Sequence, residues 1–198
     1  MIKNELLLKT IQDWAEIPKD QWDDLLPRLE ERKISKGEFF LESGQVATEI
    51  GFLITGYCRQ FYVDKDEHEF NHSFVFENEL MGGYPSLLRK KPSTYSIQAM
   101  EECDLLVIKW EEFESFFSRH ICWERLVRKV AEKNYLQKIQ RESAFLLKDA
   151  RERYLEVCEY EPEVISRVPQ YHLASYLGIT ASALNRIIKK IEKEEATL

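Results

Sequence analysis

The stretch 170-QYHLASYLGITASALNRIIK-189 decides the fold. Its apolar positions Leu173, Leu177, Ile179, Leu184 and Ile187 fall where two short helices joined by a tight turn would clamp one another. Gly178 suits the left-handed residue that ends the first helix, expected over 172–177. Thr180 suits the N-cap of the second, expected from 181 to about 192. Ala174 is small enough to let the two approach closely. A helix-turn-helix that reaches into a DNA major groove needs this spacing, because its second helix must protrude. An ordinary helical hairpin is the bland alternative. The glycine, the small residue and the apolar positions agree together, and basic Arg186, Lys189 and Lys190 follow on the second helix.

Charge along the chain supports the same end. The 198 residues carry a net charge of −7, which by itself argues against a nucleic-acid partner. Between 164 and 193, however, Arg167, Arg186, Lys189, Lys190 and Lys193 face a single acid, Glu192. An acidic body thus ends in a basic region. Hydrophobic residues at 44% and charged residues at 32% describe a globular chain with a real core. Leu6, Leu7 and Leu8 form too short an apolar run for a signal peptide or membrane helix, so a cytoplasmic protein without membrane contact is expected. Cys58, Cys103, Cys122 and Cys158 are scattered, with no CxxC pair, which suits reduced thiols rather than a disulfide framework or thiolate metal cluster.

Upstream, the hydrophobic period divides the chain. Residues 1–30 are helical in pattern, broken at Pro18 and Pro27. From Lys33 to about Lys109 the period is that of strands, expected at 38–41, 51–54, 57–63, 70–76, 95–99 and 104–108. Turns at Lys36-Gly37, Ser43-Gly44, Thr55-Gly56 and 64–67 separate them, which predicts a sandwich or barrel. After Trp110 no Gly or Pro occurs until Pro162; a break is expected near Lys148-Asp149, with Asp149 capping the next helix. Over 118–147, Ile121, Leu126, Val127, Val130, Leu136, Ile139, Leu146 and Leu147 form an apolar seam. Such a seam predicts pairing with a symmetry mate, or else packing on the chain's own sheet.

In this order the segments SKGEFFLESG, IGFLITGYCRQFY, LMGGYPSLLRKKPSTYSIQAMEECDLLVI and HLASYLGITASALNRIIKK resemble the cyclic-AMP receptor protein/fumarate-nitrate regulator (Crp/Fnr) family, from about Ile34 to Lys193. The resemblance implies an α+β fold: an N-terminal double-stranded β-roll, a long dimerisation helix and a C-terminal helix-turn-helix of winged-helix type. The corresponding expected domains are 1–117, 118–147 and 148–198. Because the chain stops at Leu198 after KEEATL, the wing is expected to be reduced or absent. The implied function is that of a homodimeric, non-enzymatic transcription regulator whose partners are double-stranded DNA, a second copy of itself and RNA polymerase. The competing reading is a ligand-binding or protein-interaction module with a vestigial helix-turn-helix. No Ser/His/Asp spacing, metal motif or carboxylate pair supports an enzyme.

The resemblance also locates two sites. In the family's phosphate-binding cassette a glutamate takes the ribose hydroxyl and an arginine the cyclic phosphate. Here Gly82 and Leu87 keep the skeleton, Thr94 fits the hydroxyl position, Gly83 stands at the glutamate and Ser93 at the arginine, while Tyr95 replaces a small alanine. Serine cannot replace arginine's bidentate fork, so cyclic AMP and cyclic GMP are not expected to bind. A different small-molecule effector, if there is one, would meet Phe74, Gly82, Gly83, Tyr84, Ser86, Ser93, Thr94 and Tyr95, with Phe76 nearby. The iron–sulfur members need several cysteines near the N-terminus, and the first here is Cys58. His68 and His72 are the weak metal candidates in a run that reads more readily as a polar hairpin tip.

On the second helix, Ala181 and Ser182 stand where the family commonly has an Arg-Glu pair, and Arg186 matches its later arginine. Ser182 and Asn185 can meet base edges, Asn favouring adenine, and Arg186 favours guanine or a phosphate. Thr180, Lys189 and Lys190 complete the expected contacts as phosphate ligands.

Overall fold

Pro18 and Pro27 do break the N-terminal segment: α1 (Ile2–Gln12) and α2 (Lys19–Leu25) are followed by a 3₁₀ turn that contains Pro27. The structure, a computed structural model, describes residues 2–196. It divides into two compact units, one of Met1–Tyr62 with Phe74–Tyr135, the other of Val63–Ser73 with Leu136–Leu198.

The glycine-punctuated middle supplies eight strands: β1 (Glu30–Ile34), β2 (Phe39–Leu41), β3 (Glu49–Thr55), β4 (Cys58–Val63), β5 (Glu69–Val75), β6 (Leu80–Gly82), β7 (Ser96–Ala99) and β8 (Cys103–Lys109). A short helix, α3 (Tyr84–Arg89), lies between β6 and β7. Two four-stranded sheets result, in the orders β1-β8-β3-β6 and β2-β7-β4-β5, which is the expected β-roll. Leu53, Ile97 and Leu105 are fully buried in its core, each contributing about 1.5–3 kcal/mol of burial. Trp110, Phe113, Phe116 and Trp123 close the first unit with edge-to-face and tilted ring contacts, and the indole N–H of buried Trp123 donates to Gln21 Oε1 at 3.2 Å.

Two strands lie outside the predicted set. β1 reads EERKI, with only Ile34 buried, because it is an edge strand paired with β8 alone; the usual alternation is therefore missing. β6 is three residues long and is held by Ile50↔Gly82 and Phe52↔Leu80 pairing, too brief to leave a period.

Beyond β8 come α4 (Trp110–Glu114), α5 (Ile121–Leu147), α6 (Ala150–Tyr160), α7 (Pro162–Arg167), α8 (Gln170–Leu177) and α9 (Ala181–Glu195). The break after Leu147 is where the sequence places it. Asp149 caps α6 in a reciprocal box with Glu152, whose backbone N–H it accepts at 2.9 Å and whose carboxylate accepts the Asp149 N–H at 2.7 Å. The apolar seam of α5 splits in two. Leu126 is buried in the core of the first unit and so is closed to a partner, while half-buried Val127 and Val130 pack against that core. Tyr135, Leu136, Ile139, Leu146 and Leu147 are exposed, Leu147 at 80%. Among the described residues no helix is long and apolar enough to cross a membrane.

Candidate functional site

The turn between α8 and α9 is built from backbone geometry. Gly178 sits at φ 69°, ψ 33°, its N–H donates to Ser175 O at 3.1 Å, and the Ile179 N–H reaches Ala174 O at 3.0 Å. This is a Schellman closure, and it needs the glycine. A Cβ at Gly178 would lie 2.7 Å from Cε1 of Phe145. Two arginines finish the end of α8. Arg153 donates to Leu177 O and Arg141 to Tyr176 O at 2.7 Å, while both guanidinium groups lie over the Phe145 ring, at 4.7 and 4.6 Å. Burial works against the charge of Arg141, which these carbonyl and ring contacts offset.

Thr180 caps α9, its Oγ1 accepting the Ala183 N–H at 3.2 Å. Leu184 has no exposed surface and packs in the same unit as buried Leu173, Ala174 and Leu177. With that side turned inward, the opposite side of α9 is fixed. Thr180, Ala181, Ser182, Asn185, Arg186, Lys189 and Lys190 are all exposed. Ser182, Asn185, Arg186 and Lys189 follow the three- and four-residue spacing of one helix face. The second unit also takes in the hairpin end, Val63–Ser73. Asn71 Nδ2 lies 3.1 Å from both Nδ1 and O of His172; the Asn71 N–H donates to Ser175 Oγ, which donates to Glu69 O at 2.9 Å. Arg141, Phe145, Arg153 and Asn71 are positioning residues that sequence reasoning did not single out. Their only signal was the four-residue spacing of Arg141 and Phe145, which ordinary helices share.

The β-roll cassette is a different environment. Gly83 is buried, and a Cβ there would lie 2.4 Å from Leu41 Cδ2 and 2.9 Å from Ala47 Cβ. Ser86 Oγ accepts the Ala47 N–H at 2.9 Å and donates to Lys91 O. Ser93 Oγ is engaged by its own turn, donating to Tyr95 O at 2.7 Å and accepting from the Tyr95 N–H. The Tyr95 phenol reaches back across the cassette and donates to Gly82 O at 3.1 Å; burial, with Tyr62 beside it, pushes its pKa up to about 12. The structure thus brings Gly82, Gly83, Ser86, Ser93 and Tyr95 into one internally bonded cluster, with Thr94 exposed at its edge. Tyr84 instead packs edge-on against Trp110, and Phe76 stacks on Tyr57; Phe74 is buried. Arg89, Lys90 and Lys91 are exposed.

Asp64, Asp66 and His68 gather at the exposed hairpin tip, where His68 Nδ1 lies 3.2 Å from Asp64 Oδ2. His72 is not among them. It is half-buried on β5, and desolvation, then Lys138 and Arg141, lowers its pKa to about 4. Its unfolded value near 6.5 is higher, so the unfolded chain binds the proton first and stability falls as pH drops below 6.5. Chemical denaturation is expected to lose about 2 kcal/mol more between pH 7 and pH 5 in the parent than in His72→Gln. Equal pH slopes for the two would exclude a buried neutral His72.

Residues 31–120 match the family model described as a cyclic nucleotide-binding domain. No curated protein matches the chain by sequence. Among solved structures the chain is similar to CLP, the c-di-GMP-responsive global regulator of Xanthomonas campestris, at 19% identity over 87% of this chain and 91% of that one, with a TM-score of 0.70. It is similar to FixK2 from Bradyrhizobium japonicum at 15% identity over 84% and 86%, TM-score 0.72. A protein assigned to the crp/fnr family of transcriptional regulators, from Eubacterium rectale, gives 14% identity over 90% and 85%, TM-score 0.72.

Proposed function

We propose that this chain, a cyclic nucleotide-binding-domain protein with the fold of the Crp/Fnr regulators, is a homodimeric DNA-binding transcription regulator that does not respond to cyclic AMP or cyclic GMP. One observation carries the DNA reading. The Schellman-closed turn and buried Leu184 hold α9 with Ser182, Asn185, Arg186, Lys189 and Lys190 on its exposed surface. Ser182 and Asn185 read base edges from the start of the helix, Arg186 takes a guanine edge or a phosphate, and Thr180, Lys189 and Lys190 hold the backbone. Ala181 leaves room at the helix start for close approach. RNA polymerase as the partner that responds to the bound dimer belongs to the same proposal.

Retardation of promoter DNA by the full chain tests this reading, with affinity expected to fall steeply as salt rises. Arg186→Ala is expected to cost about 1–3 kcal/mol of DNA affinity if it reads a base. Unchanged affinity would remove Arg186 from the interface. No retardation even at low salt would favour the module with a vestigial helix-turn-helix.

The dimer rests on Tyr135, Leu136, Ile139, Leu146 and Leu147 of α5, within the segment 118–147 expected for dimerisation. Exposed apolar side chains at this spacing fit a helix–helix seam. Ile139→Glu is expected to convert the dimer to monomer in sedimentation equilibrium, with helical content kept. A parent chain that sediments as a monomer would overturn the assembly.

A further inference from the structure

A cavity of about 420 Å³ opens in the first unit, where the connection between α1 and α2 meets the start of α5. It lies apart from the β-roll cassette, and neither the family match nor the helix-turn-helix accounts for it. Its volume falls in the range of small-molecule sites, about 300–1,000 Å³. We propose that this cleft binds a small organic monocarboxylate with a flat apolar body, and so serves as a ligand site of the chain outside the cassette.

The lining argues for that chemistry. The half-buried Trp14 indole, which packs on the core and has Lys133 Nζ 5.3 Å from its ring centroid, and Pro18 supply the apolar part of the lining. Arg125 and Lys129, four residues apart on one face of α5, present two cations to the opening. Among the described residues neither makes an ion pair or hydrogen bond, so both are free to receive a carboxylate. Arginine offers the planar bidentate fork suited to that group. His120 Nδ1 accepts the Cys122 N–H at 3.2 Å, so any proton the ring carries on Nε2 is a further donor. Glu16 is the one acid in the lining. With Asp20, whose charge is felt by His120 and Cys122 of the lining, it opposes a second negative group, and it can accept a hydrogen bond from a hydroxyl or N–H on the ligand. A dianion or a purely apolar molecule would satisfy fewer of these groups than a monocarboxylate.

Calorimetry on the full chain with indole-3-acetate and 4-hydroxybenzoate as probes, and indole-3-acetamide as the uncharged match, tests the proposal. At least one carboxylate is expected to bind, and the amide to bind about tenfold more weakly than indole-3-acetate. Arg125→Gln and Lys129→Gln, both at exposed positions that leave the core untouched, should each weaken carboxylate binding by about tenfold. Lys90→Gln, on the exposed end of α3, should leave it unchanged. Absence of binding by both carboxylates up to millimolar concentration would overturn the site. So would equal affinity for the acid and its amide, or carboxylate binding that persists undiminished in both α5 variants. These outcomes do not depend on DNA binding, so the proposal and the regulator reading fail separately.

Discussion

Gly83→Glu is expected to destabilise the β-roll by about 3–5 kcal/mol and to confer no affinity for cyclic AMP, alone or with Ser93→Arg. Glutamate is the residue that the cassette of the family would place there. At this position even its Cβ would lie 2.4 Å from Leu41 Cδ2 and 2.9 Å from Ala47 Cβ. The leucine methyl can swing away, but the alanine Cβ is fixed to its backbone, so β2 or the segment before β3 must move. The carboxylate would then enter a region where the hydroxyls of Ser86, Ser93 and Tyr95 already donate to backbone oxygens. An arginine at position 93 would lose the Ser93 turn bonds in exchange. Urea denaturation of the single and double variants, with calorimetry against cyclic AMP, reads both parts. A double variant that is as stable as the parent and binds the nucleotide would overturn the assignment. Micromolar binding of cyclic AMP or cyclic GMP by the parent would do the same.

Leu184→Ala should have the largest effect at the other end of the chain, about 2–5 kcal/mol, and should abolish DNA retardation. Leu184 has no exposed surface, and with Leu173, Ala174 and Leu177 it holds α9 against α8. Removing its isobutyl group leaves a cavity that the short α8 cannot collapse around, because its end is pinned by Arg141 and Arg153. The comparison with Arg186→Ala is informative, since that exposed variant should lose DNA affinity while keeping parent stability. Full DNA binding by Leu184→Ala at parent stability would show that α9 is held in some other way.

Much of this architecture was legible in particular residues. Gly178, Thr180 and Leu184 announced the α8–α9 turn because a left-handed residue, an N-cap and a buried leucine each require specific chemistry at specific spacing. Asp149 marked the start of α6 for the same reason. The β-roll was visible through its glycine turns, but β1 was hidden, because an edge strand with one buried side chain has no hydrophobic period. α3 was hidden by its six-residue length and by the glycines and proline around it. The seam of α5 was read as one surface; periodicity shows which residues share a face and not which of them another part of the chain covers. The closeness of Gly83 to Leu41 and Ala47 and the Tyr95–Gly82 bond join residues distant in sequence, so no local pattern encodes them.

The attachment of Asn71 to His172 and Ser175 bears on how such a protein can be taken apart. The helix-turn-helix unit is assembled from two lengths of chain, and the shorter one lies in the middle of the strand region. A single cut near residue 136 would leave α8 without the amide that meets its buried His172 and without the carbonyl that receives the Ser175 hydroxyl. Such a fragment would present polar groups to solvent that the intact chain keeps satisfied inside. Transplanting the helix-turn-helix onto another protein therefore calls for grafting the hairpin end together with the helices.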